Sequence, residues 1–93
     1  GHLEKVEAAK AWIADGKLHL ETTDAFDPKG FTALSVIVTD SEGRMLDALQ
    51  DSVTDHPGLL EDGRFSAWKA LAPYITEEMG QNAIFEVTGY KIP

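Results

Sequence analysis

Two aspartates in the segment TTDAFDPKG are the residues best placed to do chemistry. Asp24 ends a strand-like segment, and Asp27 follows it in a loop. Carboxylate oxygens are ligands that Mg²⁺ prefers, and a pair of such ions can clamp the attacking and leaving oxygens of a phosphodiester. Each ion needs several oxygen ligands, so a lone carboxylate does not make a catalytic metal site. The two aspartates are therefore candidate metal ligands only, and we expect no cofactor.

A local role explains the same residues more simply. Asp27 before Pro28 is a turn-initiating pair, and Gly30 supplies a permissive backbone at the entry to the next strand. Asp24 can accept backbone N–H groups in an Asx-turn at the end of its strand. We favour this interpretation over a metal site.

Other patterns that carry chemistry are missing from the sequence. The chain has no cysteine, and it contains no GxSxG, HExxH or phosphate-cradling glycine loop. The segment DSEGRMLD departs from the calcium-binding loop because Glu42 and Gly43 come too early, at positions three and four instead of five and six. Asp55 and His56 are further candidates for metal ligands. They include only one histidine, and the proline and glycine that follow them favour a turn. We therefore predict that the protein is not an enzyme.

Acidic residues dominate the charge of the chain. The formal net charge is −8, and from Asp40 to Asp62 a single base, Arg44, accompanies seven acids. Such a surface repels nucleic acid and anionic lipid, so we expect neither as a partner. A solvated face that aids solubility is the usual explanation of a charge run, and a docking face for a basic protein is the alternative. The candidate contact residues of that acidic face, residues 40–62, are Asp40, Glu42, Asp47 and Asp51.

Trp12 and Tyr74 are candidate anchors for a protein partner, because large aromatic residues are enriched at binding hot spots. Core packing is the commoner role of a large aromatic residue in a small domain. Trp68 opens an apolar stripe, and we expect it to lie in the core.

The first residues of the chain allow two interpretations. Apolar residues recur at helical spacing across residues 3–14, among alanines that are strong helix formers, and Gly16 can end a helix. The alternative is a hairpin that turns at Asp15-Gly16, which is a strong type I′ signal. We predict the helix.

Three strands should follow. Alternating leucines predict a strand over 17–23, and the β-branched run FTALSVIVT predicts another over 31–39. A turn over 40–43 then leads to a return strand over 44–53. The apolar residues of this return segment also fit a helical face, but the short polar turn before it favours a hairpin.

A second helix and a last strand complete the prediction. Apolar residues over 68–79 recur at helical spacing, with Ser66 to cap the helix and Gly80 to end it. Pro73 either kinks this helix or begins a second one. The alternating segment NAIFEVTGYKI, residues 82–92, predicts the final strand. The order is α-β-β-β-α-β, which indicates an α+β domain with a mostly antiparallel sheet and helices packed on it.

With Asp24 at the end of the first strand, the order of elements over residues 17–92 resembles the first part of a ribonuclease H-like domain. The resemblance implies two Mg²⁺ ions, held by Asp24, by a glutamate on the following helix and by an aspartate ending the fourth strand. This chain has Ala67 and Trp68 at the helix position and Thr88-Gly89-Tyr90 at the end of its last strand. The resemblance therefore implies a catalytically inactive member.

The length of 93 residues predicts one domain. Gly1-His2 resembles a tag remnant, which leaves residues 3–93 as a single α+β domain that could be cut from a longer protein. The longest apolar run is far too short to cross a bilayer, and no signal peptide is seen, so we predict a cytoplasmic protein without a membrane partner.

These observations lead to one functional prediction and two alternatives. We predict a small non-catalytic protein-interaction module whose acidic face, residues 40–62, contacts a protein that could be basic. One alternative is an inhibitor or immunity-type protein that blocks a basic partner. The other is the inactive ribonuclease H-like domain. Sequence leaves the identity of the partner and the oligomeric state open.

Overall fold

Two antiparallel β-sheets form the fold. The computed structural model describes residues 1–53, 62 and 64–92. The elements of these residues, in chain order, are β1 (His2–Lys5), β2 (Ala9–Ala14), β3 (Lys17–Thr22), β4 (Phe31–Thr39), β5 (Met45–Ser52), β6 (Ser66–Ala70), α1 (Glu77–Gln81) and β7 (Ile84–Lys91). One sheet has the order β1-β7-β4-β5, and the other has the order β2-β3-β6. A single apolar core joins the two sheets.

The predicted helix over residues 3–14 is wrong, and the hairpin alternative is right. Strands β2 and β3 pair antiparallel, with Ile13 opposite Leu18. The turn between them is Asp15-Gly16, with φ angles of 54° and 71°. Two successive positive φ angles are the type I′ geometry that matches the twist of a hairpin. Cross-strand pairing here outweighs the helix propensity of the alanines, because that propensity favours a helix by only about 0.5 kcal/mol per residue.

The strands predicted over 17–23, 31–39 and 44–53 are confirmed as β3, β4 and β5, and the final strand is confirmed as β7. Between β4 and β5, the amide of Asp40 donates to the carbonyl of Arg44 over 2.9 Å, which closes the predicted turn. Strand β5 lies at the edge of its sheet, with Leu49 opposite Val36. The helical alternative for this segment is therefore wrong.

The predicted helix over 68–79 is also wrong, because its apolar residues are divided among a strand, a turn and a short helix. Residues around Trp68 form β6, which pairs with β3. The chain turns at Pro73, and only α1 is helical, from Glu77 to Gln81. Thr76, not Ser66, caps this helix, since its hydroxyl accepts the amide of Met79 over 3.2 Å. Proline lacks the amide that a continuous helix would need, which is consistent with a break at this point.

The α+β class is therefore incorrect: the described residues form seven strands and one short helix, and no long helix packs on either sheet. Both sheets are wholly antiparallel in their described pairs. The resemblance to a ribonuclease H-like domain depended on the order α-β-β-β-α-β, so it loses its basis with that order. Among the described residues, no helix is long and apolar enough to span a membrane.

Inward-facing residues of both sheets fill the core. Leu18, Leu20, Leu34, Val36 and Val38 are completely buried, as the period-two alternation of β3 and β4 requires. Thr22 is the one buried polar residue in the part of the chain that the structure describes. Its hydroxyl accepts the amide of Phe65 over 2.6 Å, and its own amide donates to the carbonyl of Phe65 over 2.9 Å. These bonds fasten β3 to the start of the segment that leads into β6.

Candidate functional site

The two loop aspartates have different surroundings. Asp27 accepts the amide of Lys29 over 3.0 Å, which confirms the turn predicted there. Asp24 has a side chain 96% exposed and lies 3.7 Å from the guanidinium Nε of Arg64. Thr23, rather than Asp24, makes the turn bond at the strand end by accepting the amide of Ala25 over 3.3 Å. No group of three potential metal ligands comes together in residues 1–53, 62 and 64–92.

The residues predicted for the acidic face fall into two groups. Asp40 and Glu42 lie in the β4–β5 turn, where both pair with Arg44 at 2.9 and 2.8 Å. Asp47 and Asp51 lie on β5 opposite the buried residues Val38 and Leu34. Asp47 on β5 is bound by the ammonium group of Lys69 on β6 of the other sheet over 2.6 Å.

The last part of the acidic segment falls largely outside the described residues, which include neither Asp55 and His56 nor Glu61. Asp62 is described, and it pairs with Arg64 over 2.8 Å. Lys69 and Arg64, which lie outside residues 40–62, thus offset part of the negative charge of that segment.

Asp40 provides a prediction for pH dependence. The backbone amide of Arg44 holds the pKa of the Asp40 carboxyl below its usual range, with further lowering by the Arg44 guanidinium and the Glu42 amide. A lowered carboxyl pKa contributes stability above the unfolded-state pKa, and this contribution is lost as pH falls through the folded-state value. We expect NMR of the side-chain carboxyl carbons to give Asp40 a titration midpoint below that of an ordinary aspartate. In Arg44→Gln the midpoint should rise only part of the way, because the backbone donor remains; an ordinary midpoint in the unchanged protein would contradict this geometry.

The outer side of the three-stranded sheet carries a row of three ring-bearing residues. In the β2–β3–β6 register, Trp12 pairs with His19 and His19 pairs with Trp68. Their chain neighbours Ile13, Leu18 and Ala67 are buried, and side chains alternate along a strand, so the three rings face away from the core. Trp68 is 59% exposed.

Two lysines complete this surface, which we call the aromatic face: Lys10, Trp12, Lys17, His19 and Trp68. The rings of Trp12 and His19 are stacked, with centroids 4.9 Å apart and planes 7° from parallel. That separation matches the roughly 5 Å between directly opposed side chains on neighbouring strands. The Nε2 atom of His19 lies 3.4 Å from the carbonyl oxygen of Ala14. The ammonium nitrogen of Lys10 lies 5.3 Å from the centroid of Trp12, and that of Lys17 lies 4.4 Å from the centroid of Trp68.

The lysines of the aromatic face differ from most other bases of the chain. Lys5, Arg44, Arg64, Lys69 and Lys91 each form an ion pair with a carboxylate. Neither Lys10 nor Lys17 forms one with any described residue; each ammonium group lies over an indole ring instead. The attraction of a cation to an exposed ring is about 0.5–1 kcal/mol, so these side chains can turn toward a ligand at small cost.

Sequence reasoning found part of this surface. Trp12 was a candidate anchor and lies on the aromatic face, although on a strand rather than on a helix. The expectation that Trp68 lies in the core is wrong, and His19 and the two lysines were not connected with either tryptophan. The Asp15-Gly16 turn signal indicates the contact between Trp12 and His19, because a two-residue turn there places these residues opposite each other. Tyr74, the other candidate anchor, is 75% exposed in the turn before α1.

Two open grooves also lie on the described surface. One, about 290 Å³, lies between the β4–β5 turn and α1 and is lined by Asp40, Leu46, Glu78 and Met79 among others. The second, about 300 Å³, lies on the outer side of the four-stranded sheet beside Leu3 and Tyr90.

No protein-family model, curated protein or solved structure matches this chain. The aromatic face is the described surface that combines exposed tryptophan with unpaired charge.

Proposed function

We propose that this domain is a non-catalytic protein-interaction module and that the aromatic face is its docking surface. The observation that carries the proposal is the row of Trp12, His19 and Trp68 across three paired strands, with Trp68 largely exposed. Exposing a large aromatic side chain to water is unfavourable, and tryptophan is among the residues most enriched at binding hot spots. A strand-borne row is also held in place before binding, which lowers the entropy lost on association.

The aromatic face supports docking better than the acidic face does. Arg44 and Lys69 already pair with Asp40, Glu42 and Asp47, and a partner would have to compete with these contacts. The basic partner and the inhibitor alternative remain predictions, and binding that weakens steeply with salt would support them. We also propose a cytoplasmic location, for which the absence of cysteine is the supporting observation.

A random peptide library provides a test that needs no known partner. Peptides selected on the immobilised domain would be synthesised and titrated against the unchanged protein, Trp68→Ala and Tyr74→Ala. Trp68→Ala should weaken the selected peptides by about tenfold or more, as expected for an anchor at the centre of an interface. Tyr74→Ala removes an aromatic residue that is more exposed than Trp68 and lies on a different surface, and we expect it to change the affinity less than about twofold.

Fluorescence offers a direct readout because both tryptophans of the chain lie on the aromatic face. A peptide that docks there should shift the emission of the unchanged protein. Selected peptides that bind without a shift, or whose affinity depends on Tyr74 and not on Trp68, would overturn the proposed location. Failure to select any peptide would count against the interaction-module function itself.

A further inference from the structure

We infer that the ligand of the aromatic face is an extended acidic segment of a partner protein, with carboxylates on alternate residues. This inference rests on the proposed function and adds the chemical class of the partner. Its basis is the charge and the hydrogen-bonding character of the groups that the face presents.

The exposed groups of the aromatic face favour a negative ligand. Lys10 and Lys17 supply two ammonium groups without a carboxylate partner among the described residues. An indole N–H can only donate, and neither tryptophan N–H donates to a described residue. The face is thus rich in donors and positive potential.

One acidic residue offsets part of this potential. On the outer side of these three strands, Glu21 is the one carboxylate, at the end of β3 beside Lys10. The charge of Glu21 also acts on Arg64, whose pKa is raised mainly by Asp62 and to a smaller extent by Asp24 and Glu21. The local surface therefore has an excess of positive charge within a chain whose formal net charge is −8.

The overall charge does not prevent an acidic ligand from binding at physiological ionic strength. Charges separated by more than about 8 Å are largely screened there, so contact between the ligand and Lys10 and Lys17 decides the interaction. At low salt, the distant acids of the chain should slow association. Binding should therefore be measured at about 150 mM salt.

The spacing of the positive groups fits an extended peptide. Each lysine reaches one of the outer rings of the row, and Trp12 and Trp68 lie two strands apart, about 10 Å. Alternate side chains of an extended chain share one side and are separated by about 7 Å. Carboxylate side chains are flexible enough to bridge the remaining distance to the two ammonium groups. A peptide that alternates glutamate with serine has this pattern.

The test is a titration of such a Glu-Ser repeat peptide, followed by tryptophan emission. Matched repeats with glutamine or lysine in place of glutamate vary only the charge. We expect saturable binding of the glutamate peptide, at least about tenfold weaker binding of the glutamine peptide, and none of the lysine peptide. The double variant Lys10→Gln, Lys17→Gln should lose about tenfold in affinity for the glutamate peptide.

Lys29→Gln is the control, because Lys29 also lacks an ion pair with the described residues but lies in the β3–β4 loop, away from the face. Equal loss in this variant and in the double variant would overturn the inference, as would equal affinity for the glutamate and glutamine peptides. Heparin and single-stranded oligothymidylate serve as non-peptide polyanions; binding as tight as that of the glutamate peptide would show general anion attraction instead. If library peptides require Trp68 but carry no acidic residues, the inference fails while the proposed function stands.

Discussion

Leu20→Ala is expected to lower the free energy of unfolding by about 2–5 kcal/mol. Leu20 is completely buried on the central strand of the three-stranded sheet. Its partners across the two neighbouring strands are Ala11 and Ala67, whose short side chains cannot fill the space that the substitution leaves. Because domains of this size are stable by only about 5–15 kcal/mol in total, the variant should lie near the limit of folding.

Urea unfolding followed by circular dichroism measures this effect. Leu3→Ala is the matched control, since Leu3 is 69% exposed on the edge strand β1, and its free energy of unfolding should change by less than about 0.5 kcal/mol. If Leu20→Ala does not fold, Leu20→Val removes a single methylene and should cost about 1 kcal/mol. Equal effects at Leu20 and Leu3 would contradict the packing described above.

The strands with strict alternation were predictable from sequence. Leu18 and Leu20 alternate with polar residues, and both are buried, because a side-chain period of two is a local property of an extended chain. The run FTALSVIVT combined that period with β-branched residues and appears as β4. The polar turn that follows β4 and the return strand β5 were also predictable, because they too depend on residues close together in the chain.

The two helix predictions failed because their apolar spacing was a coincidence. Leu3 and Ile13 belong to different strands, and Leu3 is exposed while Ile13 is buried. Trp68 and Met79 likewise lie in β6 and α1, with Pro73 between them. The pairing of β6 with β3 brings together residues that are distant along the chain, such as Leu20 and Ala67. The local spacing of apolar residues holds no information on such a contact.

The same limitation explains why the candidate site was only partly predicted. Trp12 and His19 meet through a two-residue hairpin, which the sequence signals through Asp15-Gly16. Trp68 joins them through the long-range pairing of β6 with β3. Composition also overstated the acidic face, because it cannot show that Lys69 reaches Asp47 from the other sheet.

Gly89→Ala should lower the free energy of unfolding by about 1–3 kcal/mol through overcrowding. Alanine in a strand is ordinarily better than glycine by about 0.5–1 kcal/mol, so the expected sign is opposite to that of intrinsic preference. A Cβ atom at position 89 would lie 2.5 Å from the Cδ1 and Cε1 atoms of Phe31 and 3.0 Å from Cδ2 of Leu34. The half-buried Phe31 ring packs against Phe26 at a centroid distance of 5.5 Å, which limits its movement on that side.

A double-mutant cycle with Phe31→Ala separates this clash from other effects of the substitution. Without the ring, the two contacts of 2.5 Å are gone and only the contact of 3.0 Å with Cδ2 of Leu34 remains, so Gly89→Ala should cost much less than in the unchanged background. Urea unfolding of the four proteins gives the coupling energy, which we expect to be about 1–3 kcal/mol. The same cost in both backgrounds would show that Phe31 does not require glycine at this position. A coupling of the expected size would establish that β7 carries glycine here because the aromatic ring of β4 packs directly on its backbone.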